Sequence, residues 1–269
     1  MSFLDNPALI VPADPRPKLG RIFLVGAGPG AADLLTLRAI RVLGRADVVF
    51  YDRLVDPDVL AFARAEADCV FVGKEVGAHS WPQPRIDAEI VKAALAGRQV
   101  VRLKSGDPSI FGRASEEIRA ARAHGIEIEV IAGVTAASAA AASLCQPLTE
   151  RGVTDRVVLA TATCRPGEQM SDLGDIAHAG TTLVFYMAIK QLAPLTQQLI
   201  TAGVPPDQEV TVASHVSRPN ARNLQTTLQA MAADCAKAGI ANPAVIMISL
   251  PKNGAKICMP HHDHLSVGQ

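Results

Sequence analysis

A glycine-rich turn at residues 26–30 is the first place where this chain of 269 residues could bind a ligand. The apolar run 21–25 precedes the turn, and a G-x-G-x-x-A pattern leads from it into a segment with helical periodicity. Glycines let the backbone pass close to a ligand, and a helix N-terminus favours an anion. The turn therefore fits a dinucleotide-binding fingerprint, with Asp52 after the next strand as a candidate ribose ligand.

Two observations weaken the dinucleotide interpretation. Pro29 removes one N–H group from the turn that would hold a pyrophosphate, although proline is tolerated at the first position of a helix. In addition, no pattern further along the chain suggests a site for hydride transfer. A tight turn that binds nothing is the alternative interpretation of this segment.

Four further segments lie at the ends of predicted strands, three with charged residues and one rich in small residues, and the carboxyl ends of strands in an open α/β sheet border a ligand crevice. Arg113 stands near a predicted helix start, where the macrodipole disfavours a cation, and such a misplaced residue is a functional candidate. Asp107 could accept hydrogen bonds from a ribose or from the backbone. An isolated lysine such as Lys74 could instead be solvated, and Thr135 could be an ordinary helix cap. The four segments are residues 51–55, 72–74, 102–113 and 131–138.

Alternating strands and helices must position these segments. From residue 20 to 146, apolar runs of strand length alternate with helical periodicity, including a helix at 31–44, which predicts a parallel sheet covered on both faces. A break follows near 146–152, and beyond it we predict strands at 156–160, 182–186, 210–214 and 244–249 and helices at 189–202 and 224–238. The predicted fold class is α/β, with two α/β domains at 20–146 and 147–250. Residues 1–19 are predicted to form a flexible arm and residues 251–269 a polar tail.

The composition excludes several classes of protein. The 26 basic and 26 acidic residues balance, so an acidic ligand would need a local group of basic side chains. Aromatic residues make up 4% of the chain, fewer than nucleic-acid recognition by stacking usually needs. The five cysteines include no C-x-x-C pair, which argues against a disulfide framework and a zinc site, and we interpret the histidines at 261, 262 and 264 as tail residues. No apolar run has the length of a membrane span and the first residues lack signal-peptide features, so we expect a cytoplasmic protein.

Taken together, these segments resemble the tetrapyrrole methyltransferase family over roughly residues 20–250, in the family's own order. Among these segments, YDRLV at 51–55 best distinguishes the branches of the family, and it favours the branch that methylates uroporphyrinogen III. The matching pieces are GAGPGAADLLTLRA at 26–39, ADVVFYDRLV at 46–55, VGK at 72–74, RLKSGDPSIFGR at 102–113, AGVTAAS at 132–138, PLTERG at 147–152 and LVFYMA at 183–188.

The resemblance implies a homodimer in which each chain holds S-adenosylmethionine in a cleft between its two domains. The residues it implies for S-adenosylmethionine are Pro29, Ser105, Gly106, Asp107, Thr135, Ala136, Met187, Ala213 and Ala244. Those it implies for the tetrapyrrole are Arg53, Lys74, Arg113, Glu116, Arg151 and Met187. For removal of the pyrrole proton we consider Arg113 first, with Glu116 or Asp52 as alternative bases. Because arginine is a poor base at its normal pKa, Arg113 could act electrostatically instead.

The reaction implied by the resemblance is C-methylation of uroporphyrinogen III at C2 and C7, which gives precorrin-2 for siroheme, cobalamin or haem d1. The ring carries eight carboxylates, which suit arginine because its planar fork bonds both oxygens of a carboxylate. A methyltransferase for a later corrin precursor such as precorrin-4 is one alternative. An NAD-dependent oxidoreductase and a tetrapyrrole-binding protein without catalysis are the others. No metal, nucleic acid or membrane is expected as a partner.

Overall fold

A computed structural model of the chain describes residues 19–73, 81–163 and 173–252. In its first half, five strands form one sheet in the order β3-β2-β4-β1-β5, and every pairing between neighbours is parallel. The predicted parallel sheet is therefore confirmed. These strands are Arg21–Gly26 (β1), Val48–Tyr51 (β2), Asp68–Phe71 (β3), Val100–Lys104 (β4) and Glu127–Ile131 (β5).

Helices cover both faces of this sheet, which explains why its central strands are continuously apolar rather than alternating. On one face, Val100 packs with side chains of α3 (Gln83–Leu95) and α4 (Ala114–Ala123). On the other face, Val101 and Leu103 pack with side chains of α1 (Leu37–Leu43) and α2 (Pro57–Leu60). All strands run the same way, so the loops after β1, β2, β4 and β5 lie along one edge of the sheet.

The second half contains a mixed sheet in the order β6-β7-β10-β8-β9. β6 and β7 pair in parallel, whereas β10 runs antiparallel to β7 and β8, and β8 runs antiparallel to β9. The strands are Arg156–Thr161 (β6), Thr181–Tyr186 (β7), Glu209–Ser214 (β8), Arg222–Thr227 (β9) and Ala244–Leu250 (β10). One face packs against Leu192–Thr201 (α6) and Met231–Lys237 (α7).

The helix Ala136–Ser143, α5, covers the other face of the second sheet although it follows the last strand of the first. Its buried Ala137 and Ala140 belong to one apolar cluster with Val184 of β7 and Met247 of β10. Alanines have short side chains, so this helix lies close against the strands. The α5 helix thus joins the two halves of the fold around a shared core.

Two predicted helices differ from the structure. The prediction of a helix over 224–238 was wrong, because 222–227 pairs with β8 as the strand β9 and the helix α7 begins only at Met231. The helix predicted over 31–44 begins at Leu37, where Thr36 Oγ1 accepts a hydrogen bond from Ala39 N at 3.1 Å. Residues 32–34 form a separate turn of 3-10 helix instead.

The short helix α2 was not predicted, because four residues carry too little periodicity to be recognised. Pro57 occupies its first turn, and Asp56 caps it by accepting a hydrogen bond from Asp58 N. The domain boundary between 146 and 147 stays a prediction, with the strands of the two sheets on either side of it. The predicted arm, up to residue 18, and the predicted tail, from residue 253 onward, lie outside the described residues.

Candidate active site

A cavity of about 340 Å³ lies where the carboxyl edge of the first sheet faces the second sheet. Loops after four strands of the first sheet line one wall, and the end of β7 and the start of β10 line the other. Of the sequence-predicted residues, the structure brings Pro29, Arg53, Ser105, Gly106, Asp107, Thr135, Ala136, Met187 and Ala244 together here. The remaining lining residues are Leu54, Ile110, Phe111, Tyr186, Val216, Asn242, Pro243 and Val245.

The glycine turn contributes to this wall mainly through contacts between backbones. A Cβ atom at Gly26 would lie 2.6 Å from Cα of Gly133, and one at Gly133 would lie 2.3 Å from the Gly106 carbonyl oxygen. Real Cβ atoms do not approach that closely. These three glycines therefore let the loops after β1, β4 and β5 touch, which holds the wall of the cavity together.

Gly28 and Gly106 add two reciprocal hydrogen bonds to that contact. Gly106 N donates to Gly28 O at 2.7 Å and Gly28 N donates to Gly106 O at 3.3 Å. Both residues have φ near +70°, a conformation that glycine adopts without steric cost. A Cβ atom at Gly106 would meet no atom within 4 Å, so beside the cavity this glycine leaves bare backbone for a ligand to approach. That S-adenosylmethionine binds at this loop stays a prediction.

Asp107 ties the loop after β4 to the loop after β5. Its Oδ2 accepts a hydrogen bond from Gly133 N at 3.0 Å, and its Oδ1 accepts from the amide and the hydroxyl of Ser109. Partial burial works to raise the pKa of Asp107, but the bonds from Ser109 and Gly133 outweigh it and hold that pKa below its ordinary value. Asp107 is therefore an ionised carboxylate at neutral pH that shapes the cavity wall.

Tyr186, at the end of β7, connects the two walls. Its hydroxyl lies 2.6 Å from Thr135 Oγ1 and accepts a hydrogen bond from Ala137 N at 3.1 Å. Thr135 does not cap α5 with its own side chain, so the tyrosine from the other half satisfies a free amide of the first turn. The Tyr186 ring also packs against Phe111 with a centroid distance of 5.1 Å and an interplanar angle of 54°.

Several non-glycine residues around the cavity have a strained, left-handed backbone. Phe111 (φ 52°), Met187 (φ 54°) and Arg113 (φ 57°) belong to this group, as do His215 and Ser217 beside the lining residue Val216. Such conformations cost on the order of 1–3 kcal/mol each and are concentrated at functional sites in proteins. Phe111 and Met187 are also 41% and 45% exposed, so strained backbone presents two apolar side chains to solvent at the cavity.

A contact between the two halves lies next to the cavity. Arg218, in the loop after β8, donates a hydrogen bond to the carbonyl of Leu54 in the loop after β2. A Cβ atom at Gly30 would lie 2.8 Å from the Val216 carbonyl and 2.7 Å from Arg218 Cγ. The last glycine of the turn therefore allows the second half to pack directly on the first.

Arg113 and Glu116 form a two-pronged ion pair at the start of α4, and neither lines the cavity. Arg113 Nε and Nη2 lie 2.8 and 2.7 Å from the two carboxylate oxygens of Glu116. The hydrogen bonds that Arg113 donates to the Glu116 carboxylate raise the pKa of Arg113 above its ordinary value. Arg113 is therefore held as a cation, and the geometry disfavours it as a proton acceptor.

Asp52 does not line the cavity either. Its Oδ1 accepts a hydrogen bond from Leu54 N at 3.0 Å, and its Oδ2 lies 3.4 Å from Nη2 of Arg102. Both oxygens are therefore engaged in shaping the loop that carries Arg53. This position favours a structural role for the carboxylate over the roles of ribose ligand or base considered from the sequence.

Beneath these loops lies a buried group of charges on the α3–α4 face of the sheet. Glu117, which is 0% exposed, receives Lys104 Nζ at 2.8 and 2.9 Å and Arg102 Nε at 3.2 Å. Burial lowers the pKa of Lys104 below its ordinary value and the charge of Arg102 adds to that effect, while Glu117 opposes both. In the sequence, Arg102 and Lys104 stand out only as parts of the motif at 102–113, and Glu117 was not predicted as a site residue.

Two other sequence-predicted residues, Ala213 and Arg151, lie away from the cavity lining. Ala213 is fully buried in β8, one strand behind the lining residue Val245. Arg151 is exposed in a turn that the Glu150–Thr154 bridge closes. Lys74 falls outside the described residues.

Some lining residues that the sequence analysis missed had a signal that could have indicated them. Phe111 lies inside the quoted motif at 102–113, and Tyr186 directly precedes the predicted Met187. Asn242 and Pro243 have no such signal, because antiparallel pairing of β10 with β8 brings them to the cavity. No helix among residues 19–73, 81–163 and 173–252 has the length and apolar character to cross a membrane.

A sequence model for tetrapyrrole (corrin/porphyrin) methylases matches residues 21–232 of the chain. A siroheme synthase of Psychrobacter cryohalolentis is 39% identical over 245 residues, which is 91% of this chain and 46% of that protein. The chain thus spans about half the length of this curated relative.

Solved structures of tetrapyrrole methyltransferases are also similar to this chain. Uroporphyrin-III C-methyltransferase from Thermus thermophilus, complexed with S-adenosyl homocysteine, superposes with a TM-score of 0.72 at 36% identity, over 86% of this chain and 92% of that one. A cobalt precorrin-4 methyltransferase of cobalamin biosynthesis superposes with a TM-score of 0.76 at 28% identity, over 85% of this chain and 94% of that one.

Proposed function

The chain belongs to the tetrapyrrole (corrin/porphyrin) methylase family, and on this premise we propose that it transfers methyl groups from S-adenosylmethionine to C2 and C7 of uroporphyrinogen III. The product would be precorrin-2, which serves siroheme, cobalamin or haem d1 synthesis. The observation that carries the proposal is the cavity between the two sheets, where Gly106 and Thr135 face Met187 and Ala244. The 36% identity to the Thermus thermophilus enzyme supports uroporphyrinogen III as substrate.

In this proposal the cavity holds the methyl donor, and the charged loops beside it hold the tetrapyrrole. S-adenosylmethionine, when bound, supplies an electrophilic methyl group on a sulfonium centre. Gly106 offers its bare backbone to the donor, while Phe111 and Met187 present apolar surface. Such alignment can contribute up to roughly 7–11 kcal/mol in well-oriented reactions.

The tetrapyrrole is placed by cations. Arg53 lines the cavity and is exposed, so its guanidinium can pair with ring carboxylates. Arg113 stays a cation because Glu116 raises its pKa, and we assign it an electrostatic role. When the pyrrole carbon takes the methyl group, neutral S-adenosylhomocysteine leaves and the positive charge passes to the pyrrole ring, where loss of the N–H proton neutralises it. Glu116 and Asp52 are the two candidates to accept this proton, and each carboxylate would first have to release a partner: Arg113 for Glu116, and Arg102 or Leu54 for Asp52.

The deciding experiment incubates the protein with S-adenosylmethionine and uroporphyrinogen III and measures release of S-adenosylhomocysteine. We expect release with uroporphyrinogen III, a large loss of turnover in Arg113→Ala, and near-normal turnover in Arg119→Ala. Arg119 is a matched control because it is exposed on the same helix, α4.

Other outcomes would favour the alternatives. Release with precorrin-4 but not with uroporphyrinogen III would assign the chain to a later step. Binding of the tetrapyrrole without turnover would indicate a non-catalytic binder, and binding of NADH but not of S-adenosylhomocysteine would indicate an oxidoreductase. The homodimer stays a prediction. Sedimentation of the purified chain measures its oligomeric state and tests this prediction.

A further inference from the structure

Glu117 is a fully buried carboxylate that the proposed chemistry does not use. It lies on the first turn of α4 and accepts hydrogen bonds from Lys104 and Arg102 of β4. Nε2 of Gln83, on α3, lies 3.4 Å from its Oε1. Burying such charges costs free energy that apolar residues of similar volume would not cost. A buried group of charges is therefore weak evidence that it stabilises the fold. The role of Glu117 is better judged from the elements that its hydrogen bonds connect.

One branch of this group leads to the loop after β2. Arg102 links Glu117 to Asp52, with its Nη2 lying 3.4 Å from Oδ2 of Asp52, and its Nη1 donates to the carbonyl of Phe50 at 3.4 Å. Asp52 in turn accepts the amide hydrogen of Leu54. The turn that presents Arg53 to the cavity is thereby anchored through Arg102 to Glu117.

The other branch leads to the start of α4. Glu117 directly follows Glu116, the partner of Arg113. Its bonds to Lys104 fix this first helical turn to the last residue of β4 at 2.8 and 2.9 Å. The two elements that carry Arg53 and the Arg113–Glu116 pair are therefore joined through one carboxylate.

Different contacts hold the wall assigned to the methyl donor. There the glycine backbones pack on one another, Asp107 accepts from Gly133, and Tyr186 bonds Thr135. None of these contacts includes Glu117 or Arg102. A change at Glu117 should consequently disturb the charged loops more than the donor wall.

We infer that Glu117 is a positioning residue for tetrapyrrole recognition, which fixes Arg53 and the Arg113–Glu116 pair at the spacing that the ring carboxylates require. It does not contact the substrate itself. The inference rests on the proposed function, because the ligand of those charged loops is taken to be a polycarboxylate tetrapyrrole.

The test compares the parent with Glu117→Gln, Glu117→Asp and the control Glu89→Gln, which removes a partly exposed carboxylate 3.8 Å from Lys92 on α3. Calorimetry measures the Kd of S-adenosylhomocysteine, fluorescence measures binding of the stable oxidised ring uroporphyrin III, and turnover gives kcat and KM. For Glu117→Gln we expect tetrapyrrole affinity to fall about tenfold or more, a 1.4 kcal/mol effect, with the Kd of S-adenosylhomocysteine within about twofold of the parent. Glu117→Asp should recover part of the loss because it retains the charge.

Parallel weakening of both ligands in Glu117→Gln, or unchanged tetrapyrrole binding, would overturn the inference. If Glu117→Gln does not fold, Lys104→Met combined with Glu117→Gln removes the lysine charge left behind, and the same selective loss is expected. A parent that binds uroporphyrin III but releases no S-adenosylhomocysteine would refute the proposed function and leave the binding comparison valid. A parent that neither binds uroporphyrin III nor releases S-adenosylhomocysteine with uroporphyrinogen III would refute both.

Discussion

The hydroxyl of Tyr186 lies 2.6 Å from Oγ1 of Thr135, so a side chain of the second sheet completes the start of a helix that follows the first sheet. The same hydroxyl accepts the amide hydrogen of Ala137, which Thr135 does not cap. The hydroxyl of Tyr186 thereby fixes the two walls of the cavity relative to each other. The contribution of this hydroxyl to stability and to ligand binding can be measured.

Tyr186→Phe removes the hydroxyl and leaves the ring beside Phe111. We expect the free energy of unfolding to fall by about 1 kcal/mol, as for a typical hydrogen bond, and the Kd of S-adenosylhomocysteine to rise about fivefold. Tyr51→Phe is the matched control, because among the described residues the hydroxyl of Tyr51 makes no hydrogen bond and its ring packs on Phe71. Urea unfolding and calorimetry give both quantities. Equal effects of the two substitutions would contradict the role of the hydroxyl.

Gly133→Ala would place a methyl group 2.3 Å from the Gly106 carbonyl oxygen. Neither loop can yield without breaking the contact among the glycine backbones, so we expect a loss of about 3 kcal/mol in unfolding free energy. The weakened wall should also bind S-adenosylhomocysteine at least about tenfold less tightly. Gly44→Ala is the control, since Gly44 has φ −65° and its Cβ would lie 3.5 Å from its nearest neighbour. A stable Gly133→Ala protein that binds normally would show that the loops do not need this contact.

Asp107 gives a pH dependence with a defined sign. Its folded-state pKa lies below the ordinary value of 3.8, so it stabilises the folded protein above that pH and the stabilisation is lost as pH falls through the folded pKa. In urea unfolding, the free energy of unfolding of the parent should exceed that of Asp107→Asn by a constant amount between about pH 5 and 7. This difference should become smaller below about pH 4. A margin that stays constant down to about pH 3 would exclude the carboxylate as its source.

Arg113→Lys separates charge from geometry at the proposed electrostatic site. Lysine keeps the positive charge but cannot reproduce the two parallel bonds to Glu116. We expect kcat/KM for uroporphyrinogen III to fall about tenfold, and Arg113→Ala to lose substantially more. Steady-state kinetics with both variants provides the measurement. Full activity of Arg113→Lys would mean that the two parallel bonds of the guanidinium to Glu116 are unnecessary. Equal loss of activity in Arg113→Lys and Arg113→Ala would mean that a positive charge alone is insufficient.

Local sequence patterns predicted much of the fold. The apolar run predicted at 21–25 is the strand β1, Arg21–Gly26, and the alternation of strands and helices predicted over 20–146 is present, because buried parallel strands are continuous apolar runs between turn residues. The strand β9 was missed because its sequence, RNLQTT, lacks an apolar run and depends on pairing with β8. Strand formation at an edge is decided by the neighbouring strand, which a local window does not contain.

The candidate site was predictable to the extent that it lies in loops after strands. Nine of the predicted contacts line the cavity, whereas Asn242 arrives there through antiparallel pairing far along the chain. Glu116 and Glu117 are adjacent and both suit a helix start, so the sequence gives no sign that one is fully buried. That difference arises because Arg102 and Lys104 point to the same face of β4, and only a three-dimensional arrangement places Glu117 over them.

The position of α5 has a consequence for dividing the polypeptide. A fragment ending at residue 146 would carry the alanine face of this helix without Val184 and Met247, and a fragment starting at residue 147 would expose those two side chains to water. Neither piece would therefore behave as an autonomous folding unit. Co-expressed pieces would instead regain a ligand-binding cavity only on association, which makes this junction suited to a split reporter whose signal requires reunion of both parts.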